Sequence, residues 1–267
     1  MHISLSFLII LLFFSFSNGE KKTYILVHGG WHGAWCWSKL TPLLEKQGHR
    51  VVALDLPGHG NDKSMLAADV TFSDYVDKVV AVSKTQVGKV ILVGHSMSGI
   101  IIAQAAESLG KEKVSALVFL DAFMPRDGDS VMSLAEIAGK TSAANNSMAI
   151  GPSVMESIVM SADHKTSTIK PESIRQLFYH DCSDEDVSYA TEHVSPQPMI
   201  CLATPARLTQ TNYGSIRKYY ILCTDAHDLN KSSLTGRVKC EKVFKLKSSH
   251  SPFFSMPEQL ANILIEI

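Results

Sequence analysis

The chain of 267 residues has the length of one large α/β domain, and its 25 basic and 26 acidic side chains leave a formal net charge of −1. Hydrophobic residues make up 45% and charged residues 19%, enough apolar area for a substantial core. No Lys/Arg-rich block stands out, so nucleic acid is not expected as a partner. The five cysteines (Cys36, Cys182, Cys201, Cys223 and Cys240) show no CxxC pairing and point to neither a zinc site nor a disulfide framework. Cys223 lies in an apolar strand-like run and is expected to be a buried thiol.

At the N-terminus, residues 5–16 are almost wholly apolar but too short to cross a bilayer comfortably. Ser17-Asn18-Gly19 follows with the small residues of a signal-peptidase site. Residues 1–19 therefore read as a signal peptide and 20–267 as the folded domain, with no stable membrane span. A cleaved leader sends the protein into the secretory pathway (secreted, ER or vacuole), and an uncleaved one leaves it cytoplasmic. The sequons Asn145-Asn146-Ser147 and Asn230-Lys231-Ser232 are compatible with the secretory route.

Tyr24-Ile25-Leu26-Val27 is a short apolar strand running into His28-Gly29-Gly30-Trp31-His32-Gly33. Glycines there let a backbone N–H approach a substrate oxygen. Residues 38–47 read as an amphipathic helix with Ser38 as a possible cap and Gly48 as its stop, and 50–54 as the next strand. A helix over 72–84 precedes Val90-Ile91-Leu92-Val93-Gly94-His95-Ser96-Met97-Ser98-Gly99. Here a β-branched strand ends in Gly-x-Ser-x-Gly and leads into the apolar helix that starts at Ile100. That context marks a nucleophile elbow carrying Ser96. Residues 114–120 form a further strand, and strands alternating with helices imply a doubly wound, mostly parallel sheet with its ligand beyond the carboxyl ends of the strands.

From 123 to about 211 the alternation stops. A Ser-, Thr-, Asn- and Met-containing stretch of this size reads as a helical cap inserted before the strand at 218–223. Met124, Met132, Met148, Met155 and Met160 would either line a soft apolar pocket or pack the cap on the core. Strand 242–246 and a helix over 257–267 end the chain. A serine hydroxyl needs an adjacent base. In the order serine, acid, histidine, that base falls on His250, in the loop after the last strand. Of the 11 histidines, His59 and His95 flank turns and are expected to make structural or pocket contacts, and His164 to be an exposed polar residue.

His28 through Trp37, Ala53-Leu54-Asp55-Leu56-Pro57-Gly58-His59-Gly60, the elbow, and Lys218 through Thr224 together resemble the plant methylesterase family of α/β hydrolases. That group includes a methyl salicylate esterase and the α-hydroxynitrile lyases. The resemblance runs from about Lys21 to the end and is weakest through the cap. It implies the α/β-hydrolase fold, Ser96 as nucleophile, His250 as base, and the N–H groups of Gly30 and Met97 as oxyanion hole. The family's acid lies two or three residues after the Thr matching Thr224, where this chain has Ala226 and His227. Asp225 is one residue early and Asp228 one or two late; Asp228 is the favoured acid and Asp225 the alternative. Lyases of the family carry Thr at the position of Gly29 and Lys at that of Ser251, which places this chain on the esterase side. The expected activity is hydrolysis of small apolar methyl esters by a Ser-His-Asp triad, with no metal and no organic cofactor. A small-molecule ester would be the partner, and a homodimer is left open. The alternatives are a cofactor-free lyase or cyclase using the same pocket, or a slow-turnover hormone receptor.

Overall fold

A computed structural model of the protein describes residues 20–144 and 154–267. The leader, Met148 and the sequon at 145–147 lie outside the described residues.

Strand β1 (Thr23–Val27) leads through a 3₁₀ turn over Ala34–Trp37 into helix α1 (Leu40–Lys46). That turn takes up the residues before Leu40, so Lys39 rather than Ser38 precedes the helix, with no side-chain cap. Gly48 ends the segment at φ 82°, a conformation that costs a glycine little. Strand β2 (Arg50–Leu54) follows, and helix α2 (Phe72–Thr85) starts at a capping box in which Thr71 and Asp74 satisfy each other's backbone N–H groups. Strand β3 (Val90–His95) is buried throughout and passes through the elbow into helix α3 (Ser98–Lys113), which is broken at Gly110. Strand β4 (Val114–Leu120) completes the first half.

Between β4 and the next strand of the main sheet lies the inserted region, of which 122–144 and 154–216 are described. It holds α4 (Val131–Ala144), α5 (Val154–Ser157), β5 (Ile158–Met160), β6 (Thr166–Ile169), α6 (Pro171–Phe178), α7 (Asp184–His193), β7 (Gln197–Pro198) and α8 (Met199–Ala203). Beside these helices the inserted region also holds a small sheet, in which β5, β6 and β7 pair antiparallel. In β6 the β-branched Thr166 and Thr168 alternate with Ser167 and Ile169, which are buried. Of the described methionines in this expectation, Met124 is in the core, whereas Met132, Met155 and Met160 are 44%, 77% and 36% exposed. Strands β8 (Arg217–Cys223) and β9 (Lys242–Leu246), then helices α9 (Pro252–Ser255) and α10 (Pro257–Glu266), close the chain.

The main sheet has the order β2-β1-β3-β4-β8-β9 and every neighbouring pair is parallel. Alternate residues of its central strands serve two cores. Ile25, Val27 and Leu92 pack with α2 and α3 on one face, and Tyr24, Leu26 and Val93 pack with α1 and α10 on the other. All the carboxyl ends lie along one edge, where Ser96, Asp121, Asp228 and His250 follow β3, β4, β8 and β9. Among the described residues no helix is long and apolar enough to cross a membrane.

Candidate active site

Ser96 sits at φ 54°, in the left-handed region that strains a non-glycine residue. The backbone around it is fixed on both sides: its N–H donates to Leu120 O, and its carbonyl accepts from Gly99 and Phe123. A Cβ on Gly94 would lie 2.7 Å from Ser98 O, and one on Gly99 would collide with the carbonyl of Phe123. Both glycines are thus required for strand and helix to meet this closely. Ser98 Oγ donates to His28 O, which ties the head of α3 to the glycine loop after β1. Among the described residues Ser96 Oγ makes no hydrogen bond to the protein and remains available to a base.

The glycine loop lies against the nucleophile, since a Cβ on Gly29 would be 2.9 Å from Ser96 Cβ and 2.7 Å from His95 Nδ1. The N–H groups of Gly30 and Met97 donate to no protein acceptor among the described residues. The cap holds this loop from above. Trp31, at φ 63°, takes Gln197 Oε1 on its N–H at 3.4 Å, donates Nε1 to Ser167 O at 3.1 Å, and accepts from Ser195 N at 2.8 Å. The close approach at Gly29 has a measurable consequence. Gly29→Thr is expected to lower kcat by about 10²-fold or more, because the added atoms displace His95 or Ser96. Comparing kcat and the circular dichroism spectrum of this variant with wild type checks it.

Buried histidines line the same edge, and their hydrogen bonds fix their tautomers. Leu56 N–H donates to His28 Nε2 at 3.1 Å, so His28 Nδ1 carries the proton given to Gly29 O at 2.8 Å. His32 Nδ1–H reaches Gly30 O at 2.6 Å while Tyr179 OH donates to its Nε2 at 2.5 Å. His59 repeats the arrangement with His32 O at 2.9 Å and Tyr75 OH at 2.6 Å. His95 donates Nε2–H to His250 O at 2.9 Å. Burial holds the imidazole of His28 down to about 4 and that of His32 down to about 3, and it depresses His59 and His95 strongly as well. Of the two roles expected for His59 and His95, these hydrogen bonds are structural contacts, and His164 is exposed.

His250 is buried after β9, its ring 4.4 Å from that of His95 and 5.7 Å from that of Phe178. Its Nδ1 is 2.7 Å from Asp121 Oδ2 and 3.4 Å from Asp228 Oδ1. A carboxylate only accepts, so Nδ1 carries the proton and Nε2 keeps a free lone pair. Asp121 directly follows β4 at φ 41°, and its Oδ1 accepts Cys223 N at 3.2 Å. Between the two carboxylates lies Lys231, whose buried Nζ is 3.0 Å from Asp121 and 2.6 Å from Asp228. Burial pushes the Asp121 carboxyl upward, but the Lys231 charge and the His250 hydrogen bond outweigh it and hold it below the usual range. For Lys231, burial works downward and the two carboxylates carry it above its ordinary value. Asp121, Asp228 and His250 have the donor types of a metal site, but the ammonium of Lys231 occupies the cation position between the carboxylates.

The structure therefore brings Ser96, His250 and Asp228 to one edge, with Gly30 and Met97 beside the nucleophile. Asp225 goes elsewhere: it is half-exposed, 3.6 Å from His180 Nε2. His180 stacks on His227 at 3.7 Å and 7°, so their in-plane lone pairs run side by side rather than converging on one ion. Sequence reasoning missed Asp121 and Lys231. The signal for Asp121 is a lone carboxylate closing the apolar run Val114–Leu120 at the ligand edge; Lys231 stands in a polar loop with nothing to distinguish it.

Residues 24–263 match the model of the alpha/beta hydrolase family. A putative chloroplastic methylesterase 11 of Arabidopsis thaliana is 33% identical over 93% of this chain, which spans 64% of that relative's length. Methylesterase 9 of the same plant is 30% identical, over 92% of this chain and 98% of its own. Among solved structures, polyneuridine aldehyde esterase has a TM-score of 0.77 at 28% identity, covering 92% of this chain and 99% of its own. Tomato methylketone synthase I, complexed with 2-tridecanone, has a TM-score of 0.76 at 28% identity, covering 92% and 97%. The chain belongs to the alpha/beta hydrolase family, within the group of the plant methylesterases.

Proposed function

We propose that the protein is a serine carboxylesterase acting on small apolar methyl esters. The observation that carries this reading is Ser96, held at φ 54° with a free hydroxyl at the head of α3, at the same sheet edge as a buried imidazole whose Nδ1 is anchored on a carboxylate. His250 Nε2 takes the hydroxyl proton as Ser96 Oγ attacks the ester carbonyl. The oxyanion that forms is met by the N–H groups of Gly30 and Met97. The tetrahedral intermediate collapses, methanol leaves with the proton held by His250, and water hydrolyses the acyl-enzyme by the same steps. The names of the relatives support ester substrates, and a panel of methyl esters with mass-spectrometric detection of acid and methanol tests the reading. Hydrolysis of no member, or equal hydrolysis by Ser96→Ala, contradicts it.

A second reading is cofactor-free lyase or cyclase chemistry in the same pocket. It is favoured by the absence, among the described residues, of a hydrogen bond between Ser96 and His250, and by the likeness to a methylketone synthase. The same panel separates the two, because only hydrolysis releases the free acid together with methanol.

The leader is proposed to be cleaved. Asn230, the sequon asparagine within the described residues, is exposed, with Oδ1 accepting Ser232 N at 3.0 Å. Protein made in a plant host is expected to begin at or near Glu20 by N-terminal sequencing; an intact Met1 contradicts the secretory route.

A further inference from the structure

The pair of carboxylates around Lys231 raises a question that the proposed esterase reading leaves open: which of them positions His250, and why there are two. We infer that Asp121 is the residue that positions His250, and that Lys231 and Asp228 form a counter-ion pair that cancels within the site. This deepens the esterase reading and rests on it.

Geometry separates the two carboxylates. Asp121 Oδ2 is 2.7 Å from His250 Nδ1, a charge-assisted hydrogen bond, while Asp228 Oδ1 at 3.4 Å makes no hydrogen bond among the described residues. Asp121 is also the better anchored. Its second oxygen is held by Cys223 N, and its own N–H donates to Ile221 O at 2.7 Å, so the strained turn after β4 is tied to β8 on both sides. The same left-handed conformation occurs at Ser96 after β3. Adjacent strands thus end in two strained residues, one supplying the nucleophile and the other the support for its base.

Charge explains the remaining two residues. The carboxylates contribute two negative charges and Lys231 one positive, leaving the single negative charge of an ordinary serine-histidine-aspartate site. The Lys231 ammonium is fully buried and directs its donors to Asp121, Asp228 and, at 3.5 Å, Leu229 O. Removing Lys231 alone leaves two uncompensated carboxylates beneath the imidazole. Removing Lys231 and Asp228 together restores the charge and leaves Asp121 in place. During the reaction the Nδ1 proton stays on His250 while Nε2 gains the proton of Ser96, and the cluster passes from a charge of minus one to zero.

The test uses full-length protein and p-nitrophenyl acetate, with kcat, KM and the pH dependence of kcat/KM measured for each variant. Asp121→Asn is expected to lower kcat by about 10⁴-fold with KM changed little, because an amide favours the wrong imidazole tautomer. Lys231→Met is expected to lose about 10²-fold in kcat through a misplaced base. It should also move the acid limb of kcat/KM to higher pH. The groups facing His250 are Asp121, Asp228, Lys231, His95 and His32, and an extra net negative charge among them favours the imidazolium. The double variant Asp228→Asn/Lys231→Met is expected to return to within about tenfold of wild type, with the acid limb restored. A merely structural role would move neither the limb nor its recovery.

A folded Asp228→Asn that loses about 10³-fold or more while Asp121→Asn stays near wild type overturns the inference. So does a folded double variant no better than Lys231→Met. Should Asp121→Asn fail to fold, the double variant alone decides. If wild type turns over the ester no faster than Ser96→Ala, the esterase reading fails instead. The positioning residue is then read from the downfield proton resonance of His250 Nδ1–H. The inference predicts that this resonance survives in the double variant and shifts or vanishes in Asp121→Asn; the opposite pattern overturns it.

Discussion

Ser96→Ala is expected to lower kcat for any accepted ester by about 10⁴- to 10⁶-fold while leaving the protein folded. The loss is this large because Oγ is the atom that forms the covalent bond, and the neighbouring hydroxyl of the elbow, Ser98 Oγ, is committed to His28 O. The fold should survive because, among the described residues, every hydrogen bond made by Ser96 uses its backbone: N–H to Leu120 O, and O from Gly99 and Phe123. Alanine pays the same backbone strain at φ 54° as serine does. Steady-state rates on the best ester of the panel, with circular dichroism and thermal unfolding alongside, check both halves. Wild-type turnover in the variant would remove Ser96 from the chemistry.

The second large effect concerns acid stability. His28 and His32 are buried as neutral rings, depressed from 6.5 to about 4 and about 3. Protonation would turn the acceptor Nε2 of each into a donor facing Leu56 N–H or Tyr179 OH. Between pH 6.5 and those lowered values the unfolded chain binds protons that the folded chain refuses. Stability is therefore complete above about pH 6.5 and falls as the pH is lowered, by up to ~1.4 kcal/mol per pH unit for each group. At pH 5 these two rings alone cost about 2 kcal/mol each. His59 and His95 act in the same direction, as does Asp121, whose depressed carboxyl contributes above its unfolded value and is lost on acidification. Against a typical stability of about 5–15 kcal/mol, the protein should unfold cooperatively near or below pH 5. Urea titrations at pH 7.5, 6 and 5 measure this. A midpoint constant from pH 7.5 to 5 would mean that these rings are not buried neutral.

The alternation of buried strands and helices was legible throughout the first half because each β-branched run there carries its own punctuation. Gly48 marks the end of α1, and Gly94 with Gly99 the elbow. The expectations for Ser96, His250, Gly30 and Met97 rest on local backbone chemistry or on position after a named strand. The cap was harder. Its short strand Thr166–Ile169 sits among polar residues, and only tertiary pairing with β5 and β7 makes it a sheet. The support for the base was harder still. Asp121 and Asp228 are separated by the whole cap in sequence, and nothing local tells which one reaches His250 or that Lys231 lies between them. Such a charge cluster exists only once β4, β8 and β9 are side by side.

The central claim is a covalent one, and the most direct measurement is to trap it. Incubation with diethyl p-nitrophenyl phosphate should release one p-nitrophenol per chain and add one diethylphosphoryl group. Peptide mapping should place that group on the peptide carrying Ser96, with esterase activity lost in step and no addition to Ser96→Ala. An adduct on another residue, or full esterase activity in protein fully modified at Ser96, would contradict the account.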